Sequence, residues 1–223
     1  MNMTPPTRVS PIHDLLQQYR PEWRESGDAR IAWRYDSAAS EGDAVLTLGL
    51  CDLSPLAKFG LKGPNALVWL QERGVSVPNL VLDSHQYDDG GWIVRLGSDE
   101  FLLENGFNSE LIQQLDADLG EGAPGVTRIE RQESTFQITG SRAIDILTQT
   151  CAVNFQEEST NQLFMTRVAG VNCGVLREES DEFPRYRLWV DSSYAVSLWI
   201  SLKQISEELG GHLVGASASC GIE

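Results

Sequence analysis

Apolar residues along this chain recur with two periods, and the order in which those periods follow each other is repeated. Phe59-Gly60-Leu61-Lys62-Gly63-Pro64-Asn65-Ala66-Leu67-Val68-Trp69-Leu70 matches Phe136-Gln137-Ile138-Thr139-Gly140-Ser141-Arg142-Ala143-Ile144-Asp145-Ile146-Leu147 position by position. Each segment predicts an alternating strand that ends at a glycine and feeds directly into a helix. Gly63 and Gly140 then serve one purpose, a corner where a side chain would obstruct the turn. After the first copy the pattern predicts strands at Trp92–Leu96 and Phe101–Leu103, then a helix with Leu111, Leu115 and Leu119 on one face. After the second it predicts strands at Gln162–Ala169, Val171–Leu176 and Tyr186–Val190, then a long helix carrying Ala195, Leu198, Leu202, Ile205 and Leu209.

The flanks are less regular. Residues 1–9 lack periodicity and read as a disordered tail. Ser10-Pro11 reads as a cap and first helical position for a short helix with Ile12, Leu15, Leu16 and Tyr19 on one face. Glu22 to Asp43 reads as an ordered connection, and the alternation of Leu46, Leu48 and Leu50 predicts a half-buried strand starting there. His212 to Ala216 reads as one further strand. The whole predicts an α+β fold: two similar lobes, each with an antiparallel sheet and helices packed on it. Glu121 to Gly125 is the expected boundary, giving lobes 10–121 and 122–223.

Composition narrows the chemistry. The longest apolar runs, such as Ala44 to Leu50, fall far short of the ~20 residues of a spanning helix. Met1 to Arg8 lacks the order of a secretory signal, so a cytoplasmic protein is expected. Among 223 residues the net charge of −15 argues against nucleic-acid partners, whose phosphates require clustered Lys and Arg. Cys51, Cys151, Cys173 and Cys220 form no CxxC pair and have no His at ligand spacing, which predicts reduced, mostly buried thiols and no metal. His13, His85 and His212 stand in no nucleophile arrangement, and neither a dinucleotide fingerprint nor a Walker loop occurs. Asp88-Asp89-Gly90-Gly91 reads most simply as a hairpin turn, and the acids Glu178, Glu179, Asp181 and Glu182 as a solvated loop.

Five segments in order resemble a known family. They are Ser10-Pro11-Ile12-His13-Asp14, Leu50 through Pro64, Arg95 through Leu103, Phe136 through Leu147, and Tyr186 through Val190. The chain resembles the glycine-cleavage T-protein (aminomethyltransferase) superfamily from Ser10 to Leu209, and its Phe59 to Leu70 wording is most similar to the gamma subunit of heterotetrameric sarcosine oxidases. The resemblance implies a folate-binding fold, here lacking the C-terminal β-barrel of T-proteins, as in the short gamma subunits.

The family's site residues carry over only in part. Its essential aspartate falls at Asp89, with Gly90 in place of the second acid; its asparagine falls at Gly106, one position beyond Asn105. Its Arg-Thr-Gly-Tyr-Thr-Gly-Glu run retains Arg177, while Phe183 stands where the ring-binding acid belongs. Asp89 and Arg177 are therefore the folate-binding candidates, Asp89 is the alternative catalytic residue, and weak or absent tetrahydrofolate binding is expected.

The resemblance implies a non-catalytic gamma-type subunit of an oxidoreductase complex that oxidatively demethylates N-methyl amino acids and passes the one-carbon unit to tetrahydrofolate. Larger flavoprotein subunits would hold FAD, FMN and NAD, and this chain would cover a partner through an apolar patch. The alternative is an independent folate-dependent aminomethyltransferase. A third reading, an accessory factor for iron-sulfur maturation, lacks its Lys-Gly-Cys-x-x-Gly-Gln motif here.

Overall fold

The structure, a computed structural model, describes residues 8–180 and 182–221. It divides into two compact units that are interleaved in sequence: a split unit of Met1–Pro55, Glu133–Thr160 and Phe164–Glu223, and a middle unit of Leu56–Gln132 and Asn161–Leu163. In chain order the split unit begins with α1 (His13–Gln17), β1 (Glu22–Ser26), β2 (Ala29–Arg34), α2 (Ala38–Thr47) and β3 (Gly49–Asp52). The middle unit contributes β4 (Lys58–Lys62), α3 (Ala66–Glu72), β5 (Ser84–Gln86), β6 (Trp92–Arg95), β7 (Glu100–Glu104), α4 (Leu111–Leu119) and β8 (Thr127–Ile129). The chain continues with β9 (Ser134–Thr139), α5 (Ala143–Thr150), β10 (Leu163–Val168), β11 (Val171–Glu178), β12 (Arg185–Val190), α6 (Ala195–Glu208), β13 (His212–Leu213) and α7 (Ala216–Cys220).

In the split unit the sheet order is β10-β11-β12-β9-β3-β13, in the middle unit β5-β6-β7-β4-β8, and β1-β2 form a separate ribbon. Strand β9 lies antiparallel between β12 and β3, whereas β13 joins the far side of β3 in parallel. Alternation decides which side chains enter the core. Phe136, Ile138, Tyr186 and Leu188 face Ile146, Leu147, Leu198, Trp199 and Leu202 of α5 and α6 in one apolar cluster. The Phe136 and Trp199 ring centroids lie 5.1 Å apart. Each such buried side chain contributes about 1.5–3 kcal/mol, so it is this stripe, rather than helix propensity, that fixes α6. The middle unit repeats the arrangement with Phe59, Leu61, Phe101 and Leu103 against Leu70, Ile112, Leu115 and Leu119.

The sequence repeat is a structural repeat: β4 and β9 each end at a left-handed glycine that turns into α3 or α5. Gly63 has φ +131° and Gly140 φ +102°. A Cβ on Gly140 would stand 2.5 Å from the Thr47 carbonyl carbon, and one on Gly63 would stand 3.0 Å from that of Gly125. Close backbone approach and the positive φ both exclude other residues there.

Several expectations are corrected. The lobes are not the sequential halves 10–121 and 122–223, because β3 completes the sheet of the second half through its pairing with β9. Gly122 to Gly125 lies inside the middle unit as a turn, closed by the Val126 amide donating to the Ala123 carbonyl at 3.0 Å. Glu22 to Asp43 contains the β1-β2 ribbon and the start of α2. Leu46 sits on α2, half exposed, so the predicted strand begins only at Gly49. Of the predicted tail, residues 1–7 lie outside the described residues, and Arg8 is ordered, its carbonyl accepting from the Arg30 amide at 2.8 Å. The strand expected at His212 to Ala216 stops at Leu213, after which α7 begins. No helix among the described residues is long and apolar enough to cross a membrane.

Candidate functional site

The middle unit places Asp89 in the five-residue turn between β5 and β6, where Gln86 pairs with Trp92. The turn is closed by the Tyr87 amide donating to the Gly91 carbonyl at 2.8 Å and the Gly90 amide donating to the Tyr87 carbonyl at 2.9 Å. Asp89 is exposed, and its Oδ1 accepts the Gly91 amide at 2.8 Å, so one carboxylate oxygen is committed to the turn itself. Gly106, the position of the family asparagine, lies against this turn. A Cβ there would meet the Asp89 backbone, with the carbonyl carbon at 2.7 Å and the Gly91 nitrogen at 2.9 Å. No asparagine fits at that position without displacing the hairpin.

Asn105, its neighbour, is buried and fully used at the start of α4. Its Nδ2 donates to the Ser109 carbonyl and to Gln113 Oε1, both at 2.9 Å, and its Oδ1 accepts the Ile112 amide at 3.1 Å. Beside it lies a buried ion pair, Lys58 Nζ to Glu104 at 3.2 Å, with side chains 2% and 1% exposed. Lys58 and Glu104 are direct cross-strand partners on β4 and β7. Sequence reasoning missed this pair, because neither residue differs locally from an ordinary strand-end charge; only the register joins them.

In the split unit Arg177 is partly buried near the end of β11. Its guanidinium donates to the carbonyls of Phe155, Gln156 and Glu158 at 3.3–3.4 Å, tying down the loop after α5. Glu178, read from sequence as part of a solvated loop, is instead buried as the last residue of β11. Arg187 Nε donates to its Oε1 at 2.7 Å, and Gln137 Nε2 donates to both oxygens at 2.9 and 3.0 Å. Ser219 of α7 in turn donates its hydroxyl to Gln137 Oε1. Gln137 and Arg187 are direct cross-strand partners on β9 and β12, on the sheet face opposite Phe136 and Ile138. Glu179 and Glu182 are exposed as expected, and Asp181 lies outside the described residues. Phe183 is buried, with the Arg185 guanidinium 4.6 Å from its ring centroid.

The candidates are thus engaged separately, Asp89 by the middle unit and Arg177 by the split unit. A pterin ring is gripped by a carboxylate that accepts paired N–H donors. Here Phe183 offers hydrocarbon, and the buried carboxylate of Glu178 is engaged by Arg187 and Gln137. The residues at these positions do not fit a pterin. Among the described residues no three His, Cys, Asp or Glu side chains cluster as metal ligands.

The chain shares its fold with the aminomethyltransferases; its two α+β units have mainly antiparallel sheets, each with a strand-glycine-helix corner. The chain superimposes on glycine cleavage system aminomethyltransferase T from Bartonella henselae with a TM-score of 0.73 and 15% identity, over 96% of this chain and 61% of that one. It also superimposes on a chain of the heterotetrameric sarcosine oxidase from Corynebacterium sp. U-96, in complex with pyrrole 2-carboxylate, with a TM-score of 0.61 and 21% identity, over 78% of this chain and 93% of that one. In sequence it is 23% identical to an aminomethyltransferase of Thermoanaerobacter pseudethanolicus over 229 residues, covering 95% of this chain. The chain spans 61% of the length of that curated relative. No family model matches it.

Proposed function

We propose that the chain is a non-catalytic, gamma-type subunit of a flavoenzyme complex of the sarcosine oxidase kind. Such a complex oxidatively demethylates an N-methyl amino acid and passes the one-carbon unit to tetrahydrofolate; in this reading FAD, FMN and NAD belong to larger partner subunits in the cytoplasm. The observation that carries the reading is Phe183, buried with the Arg185 guanidinium over its ring, at the position where the resemblance puts the ring-binding acid. Leaving pterin N–H groups unmatched costs about 1–3 kcal/mol per group. The fold shared with a chain of the heterotetrameric sarcosine oxidase supports it further.

Two measurements test it. Purification from the native host with a tag on this chain is expected to bring down larger subunits with flavin absorbance; recovery of the chain alone sinks the subunit reading. Titration of the isolated chain with tetrahydrofolate is expected to show no tight stoichiometric binding. Tight binding that disappears in Asp89→Ala would reject the non-catalytic reading and favour the independent transferase.

A further inference from the structure

The stretch from Ser192 to Leu202, which leads into and fills most of α6, carries no charged residue, in a chain whose net charge is −15. One side of it is accounted for: Ala195, Leu198, Trp199 and Leu202 are buried in the core of the split unit. The other side is not. Val196 and Ile200, one turn apart, are 42% and 52% exposed, and Ser193 and Ser197 beside them are exposed as well. The strip runs on to Tyr19, itself exposed, whose ring centroid lies 5.0 Å from the Nζ of Lys203, three residues on from Ile200.

A helix at a protein surface turns its charged residues outward, and one that is apolar on both sides is covered on both. The fold itself does not demand an apolar outer side. Helix α4, which follows the strands of the first repeat as α6 follows those of the second, buries Ile112, Leu115 and Leu119 and presents Gln113, Gln114, Asp116 and Asp118 to solvent. The charge-free outer strip is thus particular to α6.

Charge selects the occupant. Asp191 stands exposed before the strip and Glu208 exposed after it, roughly 25 Å apart at the rise of an α-helix. The Ser193 hydroxyl and amide hold the Asp191 carboxyl below the usual range, so it is ionised at neutral pH. Glu207, by contrast, is paired with Lys203 at 2.5 Å. Two copies of α6 packed about a two-fold axis would set Asp191 of one against Glu208 of the other, in chains that already repel. A second copy is disfavoured, and a partner with basic residues at both ends of its own apolar stripe is favoured.

We propose that a larger subunit of the complex docks on this strip, through an apolar stripe flanked by two lysines or arginines spaced to meet Asp191 and Glu208. The inference rests on the subunit reading and names the surface that reading requires. The test is purification from the native host with a tag on the full chain. Wild type is compared with Val196→Glu plus Ile200→Glu, with Asp191→Asn plus Glu208→Gln, and with Leu80→Glu plus Val81→Glu, two exposed apolar residues of the middle unit. Glutamate is a good helix former, so the α6 variant should melt within about 3 °C of wild type, yet bring down at least about tenfold less of the larger subunits. Asp191→Asn plus Glu208→Gln keeps the bonds to Ser193 and Gln204 and should lower recovery in low salt but not in high salt. The middle-unit variant should match wild type. Full recovery by an α6 variant that melts normally overturns the proposal and leaves the subunit reading standing. If that variant does not fold, the charge variant decides, and unchanged low-salt recovery overturns the proposal. Larger subunits missing from the wild-type preparation overturn both. A wild-type dimer in size-exclusion chromatography that the α6 variant splits assigns the strip to a second copy, and overturns the proposal too.

Discussion

Arg187→Met tests how the polar face of the split sheet is held. The Arg187 and Glu178 side chains are 4% and 2% exposed, joined at 2.7 Å. Removing the guanidinium leaves a buried carboxylate with only Gln137 Nε2 against both oxygens among its side-chain bonds described above. Deleting one partner of a buried pair costs about 3–5 kcal/mol, much more than the pair is worth relative to a well-packed apolar replacement. With a urea slope of about 2 kcal/mol per molar, the unfolding midpoint should fall by about 1.5–2.5 M. The double variant Arg187→Met with Glu178→Met removes both charges and should recover at least about 2 kcal/mol of that loss. Urea denaturation followed by circular dichroism on the wild type, both single variants and the double variant closes the cycle. A single-variant shift under about 0.5 M, or losses that simply add in the double, would refute the idea that Glu178 is a buried charge dependent on Arg187.

Four further outcomes follow from the structure. Gly140→Ala places a methyl group against the Thr47 backbone at φ +102° and should cost about 2–3 kcal/mol, with Gly63→Ala comparable in the middle unit; thermal melts of both variants check this. Gly106→Asn, which installs the family asparagine, should destabilise by about 1–3 kcal/mol and leave tetrahydrofolate titration flat, because the side chain displaces the Asp89 turn. Burial holds the Cys173 thiol up at about 12 and the Cys51 thiol well above its ordinary value, so neither should react with a thiol reagent at pH 8 until the chain is unfolded. Both folded values are raised, so the stability these thiols contribute is fully present below about 8.5 and is lost as pH climbs toward 12, a fall readable in denaturation midpoints.

The elements that were legible in sequence are those whose signal is local. The Phe59 and Phe136 segments each carry a period-2 stretch, a glycine and a period-3.6 stretch within twelve residues, and both became strand, corner and helix. The β1-β2 ribbon escaped because its exposed charges and partly buried Trp23 do not alternate cleanly in burial. Leu46, Leu48 and Leu50 misled because α2 ends between them, although Ser37, whose side chain accepts the Ser40 amide at 3.2 Å, is a helix cap readable in retrospect. At the site, Asp89 was legible as a turn residue from the Asp-Gly signal alone. Glu178 was not, because its partners lie 9 residues ahead and 41 residues behind, and nothing in an acidic run announces which member is buried. The interleaving of the units likewise rests on a pairing between β3 and β9 that no window of sequence contains.

That pairing sets an order of events for the newborn polypeptide. The middle unit is almost one continuous stretch and can close as soon as it leaves the ribosome, whereas Gly49–Asp52 must wait, edges bare, for Ser134–Thr139 to be synthesised. Amide exchange on ribosome-stalled chains should therefore show residues 56–132 protected while 49–52 still exchange freely, with early protection of 49–52 counting against this order. Until Ser134–Thr139 is made, Gly49–Asp52 is a guest awaiting its host.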